Sequence, residues 1–191
     1  MQRNFMVSIV LLGCIILFSS YRIIPVKTVS PDKSDSTFLI TDGKVGKVEI
    51  NMDVNKLKNI FPESQMKEKK VDSEGDEYAL YKILEPDNKT LAMEIESLCA
   101  DICLVSRINI LLPKYKTMEG VGVGSPFAEI KKNYTMKNIV GGEDNSFMVY
   151  VKEYRDIAFI VKSAEKKPKF GKPYEASEIL GTDVVKQIFI F

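Results

Sequence analysis

The stretch Val48-Glu49-Ile50-Asn51-Met52-Asp53-Val54-Asn55-Lys56-Leu57-Lys58-Asn59-Ile60-Phe61-Pro62 aligns without gaps on Val121-Gly122-Val123-Gly124-Ser125-Pro126-Phe127-Ala128-Glu129-Ile130-Lys131-Lys132-Asn133-Tyr134-Thr135. Apolar residues coincide at Val48/Val121, Ile50/Val123, Val54/Phe127, Leu57/Ile130 and Phe61/Tyr134, and lysines at Lys58/Lys131. In each copy a short strand leads into a short helix whose apolar residues recur at i, i+3 and i+7, which places them on one face. Ser125 reads as the cap of the second helix and Pro126 as its first turn. Pro62 ends the first helix.

Working outward, each helix precedes strand-like runs. After the first helix they are 69–72, 78–84, 91–98 and 103–112, and after the second 137–140, 147–151, 157–162 and 184–191. Polar turn clusters at 73–76, 86–90 and 141–146 separate them. The runs 91–95 and 157–161 resemble each other, as do 105–110 and 185–190. The alternation Met93-Glu94-Ile95-Glu96 and Arg107-Ile108-Asn109-Ile110 predicts one wet and one buried sheet face. Ala158-Phe159-Ile160-Val161 does not alternate, which predicts a more buried sheet in the second half. The expected fold class is α+β, as two tandem repeats of a short helix followed by about four antiparallel strands, spanning 43–117 and 118–191. A single copy has little core of its own, so the two are expected to pack as one compact unit.

The N-terminus reads as address rather than fold. Gln2-Arg3-Asn4 precedes an apolar run over 5–18, broken by Ser8, Gly13 and Cys14. Residues 1–20 are therefore expected to be an export signal or membrane anchor. Three forms fit. Leu11-Leu12-Gly13-Cys14 has the shape of a lipobox with Cys14 as the lipidated residue. An uncleaved anchor is the second form, although 5–18 gives about 21 Å of helix against a hydrocarbon core of about 30 Å. A signal cleaved near Ser19 or Ser20 is the third. Residues 21–42, with Pro25, Pro31 and a Ser/Asp/Lys/Thr-rich patch, read as a flexible tether, reaching about 40 Å or more if extended. The domain is thus expected outside the cytoplasm, attached to a membrane of the bacterial cell envelope.

Composition excludes several chemistries. A net charge of +1 gives no field for nucleic acid. The chain has no histidine, which removes Ser-His and Cys-His catalysis and the commonest zinc ligand. No catalytic residue, metal ligand or cofactor is expected. Cys99 and Cys103 flank Ala100-Asp101-Ile102 between two strand-like runs. A three-residue hairpin loop sets them opposite each other, within reach of a disulfide, the form expected in an exported protein; free thiols are the alternative.

Gly120-Val121-Gly122-Val123-Gly124-Ser125-Pro126-Phe127-Ala128-Glu129-Ile130, preceded by Val105-Ser106-Arg107-Ile108-Asn109-Ile110, resembles the YfeY-type, sigma-E-regulated small bacterial envelope lipoproteins. The resemblance spans roughly 43–191. It implies an exported, lipid-attached α+β domain linked to envelope stress, with Leu11-Leu12-Gly13-Cys14 as the lipobox. It supplies no catalytic residue and no biochemical role. In architecture the chain is also similar to the tandem α/β repeats of the β-lactamase-inhibitor protein and of small outer-membrane assembly lipoproteins.

The glycines at 120, 122 and 124 lack the lysine and hydroxyl of a phosphate loop and serve a tight turn instead. Glu94 and Glu96, with Asp101 nearby, form a carboxylate pair that acts as acid and base only if enclosed in a cleft. Lys166, Lys167, Lys169 and Lys172, with Phe170 and Tyr174, form a basic aromatic loop suited to an anionic surface; a solvated connection is the plainer reading. The expected function is binding, through a sheet face or edge shown to an unidentified envelope protein. The rival expectations are an inhibitor of another periplasmic protein and a carboxylate hydrolase of cell-wall glycans.

Overall fold

The computed structural model describes residues 36–73 and 76–191. The chain enters through a 3₁₀ turn, Ser36–Phe38, and a small antiparallel sheet of β1 (Ile40–Thr41), β2 (Lys44–Val45) and β3 (Val48–Glu49). The first helix is a 3₁₀ turn, Val54–Lys56, running into α1 (Leu57–Ile60). Asp53 caps it by accepting from the Asn55 amide at 2.9 Å. Four strands follow: β4 (Met66–Ser73), β5 (Asp76–Leu84), β6 (Leu91–Cys99) and β7 (Cys103–Ile110). Then come α2 (Phe127–Asn133) and β8 (Met136–Gly141), β9 (Ser146–Val151), β10 (Ile157–Lys162) and β11 (Val184–Ile190).

Strands β4 to β11 form one eight-stranded sheet in the order β4-β5-β6-β7-β11-β10-β9-β8. Each neighbouring pair is antiparallel. The turns follow from local chemistry. Asp87 accepts from the amides of Lys89 and Thr90, each at 2.8 Å, and Asn88 takes a left-handed φ of 55° to join β5 to β6. Asp144 (φ 52°) and Asn145 (φ 56°) close the β8–β9 hairpin, a turn that side chains of this type tolerate. The two four-strand runs meet at β7 and β11, where Ile108 faces Ile190 and Ile110 faces Ile188.

One sheet face carries the core. Ile83, Met93, Ile95, Ile108 and Ile110 in the first half join Phe147, Val149, Phe159, Val161, Ile188 and Ile190 in the second. Leu57 of α1, Phe127 and Ile130 of α2, and Ile40, Val45 and Val48 of the small sheet belong to the same buried cluster. The outer face differs between halves, as the residue alternation predicts. Glu94, Glu96, Arg107 and Asn109 stand half-buried on the first half, whereas Ala158 and Ile160 of the second are fully buried. Their outer-face strand partners are Tyr150, Met148, Phe189 and Gln187.

The chain is thus a mixed fold of mostly antiparallel strands with a few short helices. Three expectations need correction. The folded unit begins inside the segment read as a tether, because Ile40 buries its side chain completely and Asp42 accepts from the Arg155 amide at 2.9 Å. Residues 121–123 form no strand; only an isolated bridge of Gly122 to Lys116 replaces it, since the glycine backbone turns sharply there. Ser125 does not cap α2. Its hydroxyl accepts from the Gly122 amide at 3.2 Å, and the helix amides of Phe127 and Ala128 donate to the carbonyls of Asp183 (2.7 Å) and Gly181 (3.0 Å). The export segment, Cys14 and most of the tether lie outside the described residues.

Candidate functional site

The cysteine spacing folds as expected. Cys99 and Cys103 face each other at the end of β6 and β7 and form a disulfide, with Cα atoms 4.0 Å apart. The bond pins a short tip on which Leu98 and Ile102 are each 60% exposed. Beside it, a depression of about 350 Å³ is lined by Glu68, Lys70, Ala79, Tyr81, Cys99 and Cys103. Burial, then the neighbouring Glu68 carboxylate, push the Tyr81 phenol above its ordinary range. The group is therefore neutral and can only donate or accept a hydrogen bond there.

The carboxylates of β6 are held apart by cross-strand partners. Lys82 of β5 reaches Glu94 at 3.4 Å, and Asn109 of β7 donates to it at 3.4 Å. Arg107 pairs with Glu96 and stacks over the Phe189 ring, 5.2 Å from its centroid. Register explains this arrangement, because Lys82, Glu94 and Asn109 are directly opposed, as are Glu96 and Arg107. Asp101 is exposed at the disulfide tip, away from both. Glu94 and Glu96 are thus each bound to a cation on the outer face, and neither lines the depression beside the disulfide.

The glycine segment is turn machinery. The Gly120 amide donates to the Thr117 carbonyl and the Thr117 amide to the Val121 carbonyl, both at 2.9 Å, with Gly120 at φ 81°. This turn carries a cluster that the sequence alone does not single out. The Tyr134 hydroxyl lies 2.6 Å from the Thr117 hydroxyl and donates to Glu119 at 2.5 Å, while Tyr154 donates to the same carboxylate oxygen at 3.2 Å. Tyr134 also stacks on Phe159 at 5.8 Å. Burial alone would raise the Glu119 carboxyl, but hydrogen bonds from Tyr134, its own amide, Tyr154 and Thr117 together hold it below its ordinary value of 4.5. A carboxyl depressed in the fold lends stability above its unfolded pKa and loses it as pH falls through the folded one. Glu119→Gln is therefore expected to lower the urea midpoint at pH 7, and the gap from the parent protein should close in acid below pH 4.5. A gap that stays constant with pH would show that the carboxylate charge is not what the tyrosines hold.

The lysines at 166, 167, 169 and 172 are all exposed, and Phe170 beside them is 74% exposed. The backbone that carries them is far from a loose connection. It lies along the β8 edge. The Gly141 amide donates to the Lys172 carbonyl at 2.8 Å, the Gly171 amide to the Gly141 carbonyl at 2.8 Å, and the Tyr174 amide to the Ile139 carbonyl at 2.9 Å. The Lys169 amide donates to the Tyr174 hydroxyl at 2.9 Å, and Tyr174 packs edge-on against buried Phe147. A side chain at Gly141 would bring its Cβ within 2.1 Å of the Lys169 carbonyl. Gly141→Ala is expected to force this segment off the edge and to lower stability by about 1–3 kcal/mol, read as a lower thermal midpoint. An unchanged midpoint would mean that the segment yields freely.

A shallow cavity of about 360 Å³ opens on the outer face of the second half, over Met148, Ile160 and Phe189, with Arg107 and Lys186 among its polar walls and Phe170 at its lip. Lys186 pairs with Asp144 at 3.5 Å. Among the described residues no helix is long and apolar enough to cross a membrane, and no acid–cysteine cluster could hold a metal ion.

No family model and no curated protein matches the chain. Among solved structures it is similar to the crystal structure of the uncharacterized protein yfeY from Escherichia coli. The two share 15% sequence identity with a TM-score of 0.60, over 79% of this chain and 97% of the other. The YfeY-type resemblance carried by residues 105–110 and 120–130 thus has a counterpart in tertiary structure, and the chain shares the fold of that protein.

Proposed function

We propose that this protein is an exported, membrane-attached envelope domain that works by binding another envelope protein, not by catalysis. The observation that carries the reading is the outer face of β8–β11. There Met148, Tyr150 and Phe189 remain partly exposed over buried Ala158 and Ile160, framed by Arg107, Glu96, Lys186 and Asp144. An apolar centre with a charged rim is the usual anatomy of a protein contact. Both sheet edges favour the face as the contact. The β4 edge carries Lys67, Glu68, Lys69 and Lys70, and the β8 edge is covered by 169–174. The ion-paired state of Glu94 and Glu96 also favours binding over acid–base work.

The unit is further read as a doubled module, α1 with β4–β7 and α2 with β8–β11, joined at the β7–β11 pair. The gap-free match of 48–62 on 121–135 and the strand order support this reading. Attachment through residues 1–20, by a lipid on Cys14 or by an anchor, completes the proposal. Mass spectrometry of the mature N-terminus distinguishes the forms: a diacyl-modified Cys14, an intact Met1, or a new terminus near residue 20. The binding reading is tested by a photocrosslinker at Tyr150 or Phe189 in intact cells. A discrete adduct with one envelope protein is expected from these positions and not from Lys152. Equal, diffuse labelling from all three would overturn it.

A further inference from the structure

We propose that the segment 163–175 is a bilayer-contact element, in which Lys166, Lys167, Lys169 and Lys172 meet the headgroups of anionic lipid and Phe170 enters the interface. This rests on the membrane-attached reading above and adds to it a second point of contact.

Four observations converge on it. Phe170 is the most exposed large apolar side chain among the described residues, at 74%. The four lysines around it are exposed, and among the described residues none has an ion-pair partner. Glu165 and Glu175 flank the run without cancelling its charge. The segment is pre-shaped by its hydrogen bonds to β8 and by the Tyr174–Phe147 contact, so little order has to be created on binding. An aromatic tip inside a ring of lysines suits the border between headgroups and acyl chains, where the ring is buried and the ammonium groups stay wet.

Its place in the fold fits the same surface. β7 runs from the disulfide tip to Ile110, which pairs with Ile188, and β11 arrives there from Val184. The 163–183 connection, which joins Lys162 to Val184, therefore lies at the end of the sheet opposite the disulfide. The described chain begins at that same end. Phe38 packs on Tyr115, just beyond β7, at 5.6 Å, and its carbonyl accepts from the Lys116 amide at 3.1 Å. The end of the sheet at which the described residues begin is thus the end that carries the basic loop.

The test uses the full-length protein with vesicles of phosphatidylcholine alone or with phosphatidylglycerol added, and an amine-acylating reagent read by mass spectrometry. Labelling of Lys166, Lys167, Lys169 and Lys172 is expected to fall several-fold with phosphatidylglycerol and to recover in high salt. Lys70 and Lys152, at the disulfide end and in the β9–β10 turn, should label equally throughout. Phe170→Ser, at an exposed position that leaves the fold intact, should weaken the protection. Equal labelling of the four lysines with both lipids, protection spread equally to Lys70 and Lys152, or a Phe170→Ser protein protected like the parent would overturn the proposal. Flotation with phosphatidylcholine alone reports separately on the N-terminal anchor, so loss of that flotation with lysine protection retained removes the anchor and keeps the loop.

Discussion

Phe159→Ala is expected to destabilise the protein by about 3–5 kcal/mol, the cost of emptying a fully buried aromatic site. Phe159 lies in the middle of β10, between Val149 of β9 and Ile188 of β11, with no exposed surface. Its ring stacks on Tyr134, which in turn is hydrogen-bonded to Thr117 and Glu119. Removing the ring leaves a cavity and also takes away the platform that holds this polar cluster. For a domain of this size the loss corresponds to a fall in thermal midpoint of about 6–20 °C. Phe170→Ala, at the exposed lip, is the matched control and should move the midpoint very little. A Phe159→Ala shift no larger than that of the control would show that β10 is not at the centre of the core.

Ile188→Asp is expected to have a still larger effect. Ile188 is fully buried and stands opposite Ile110 on β7 and Phe159 on β10, so it lies on the seam that turns two four-stranded runs into one sheet. A carboxylate there meets only apolar groups and has no partner, a penalty of several kcal/mol at neutral pH. Burial raises the pKa of such a group, so the protonated form is favoured in the fold. The destabilisation therefore grows as pH rises from the unfolded pKa of aspartate to the raised folded one, is largest above the folded one, and is relieved as pH falls. Ile188→Val, which removes one methyl group, should lose only about 0.5–1.5 kcal/mol. Urea unfolding followed by tyrosine fluorescence and by far-ultraviolet circular dichroism checks the result. Loss of a single cooperative transition in Ile188→Asp, with Ile188→Val still cooperative, is the expected outcome. A cooperative Ile188→Asp protein with a midpoint near that of the parent would mean that the two halves are not joined through β7 and β11.

Much of the fold was legible because it is written in local periodicity. Met93-Glu94-Ile95-Glu96 and Arg107-Ile108-Asn109-Ile110 alternate because one face is buried and the other is wet, and their burial follows that pattern. The strand runs, the turns at 86–90 and 141–146 and the Cys99–Cys103 pairing rest equally on neighbours in sequence. The lysine loop was visible as composition, but its rigidity was not. Nothing near Lys169 indicates that its carbonyl closes on Gly141 or that Tyr174 bonds to Ile139. The Glu119–Tyr134–Tyr154 cluster was hidden for the same reason, since its members come from a turn, a helix end and a hairpin.

By itself, then, the order of residues determined the runs that become β4–β11, the two short helices, the wet and buried faces of β6 and β7, and the hairpin spacing that sets Cys99 opposite Cys103. Tertiary structure alone decided that β7 pairs with β11, that carbonyls of Asp183 and Gly181 terminate α2 in place of Ser125, and that 169–174 lies along the β8 edge. The reason is physical. Side-chain periodicity and turn preference act over a few residues, whereas every unpaired strand edge offers the same amides and carbonyls, and which partner it takes is chosen by how the whole core packs.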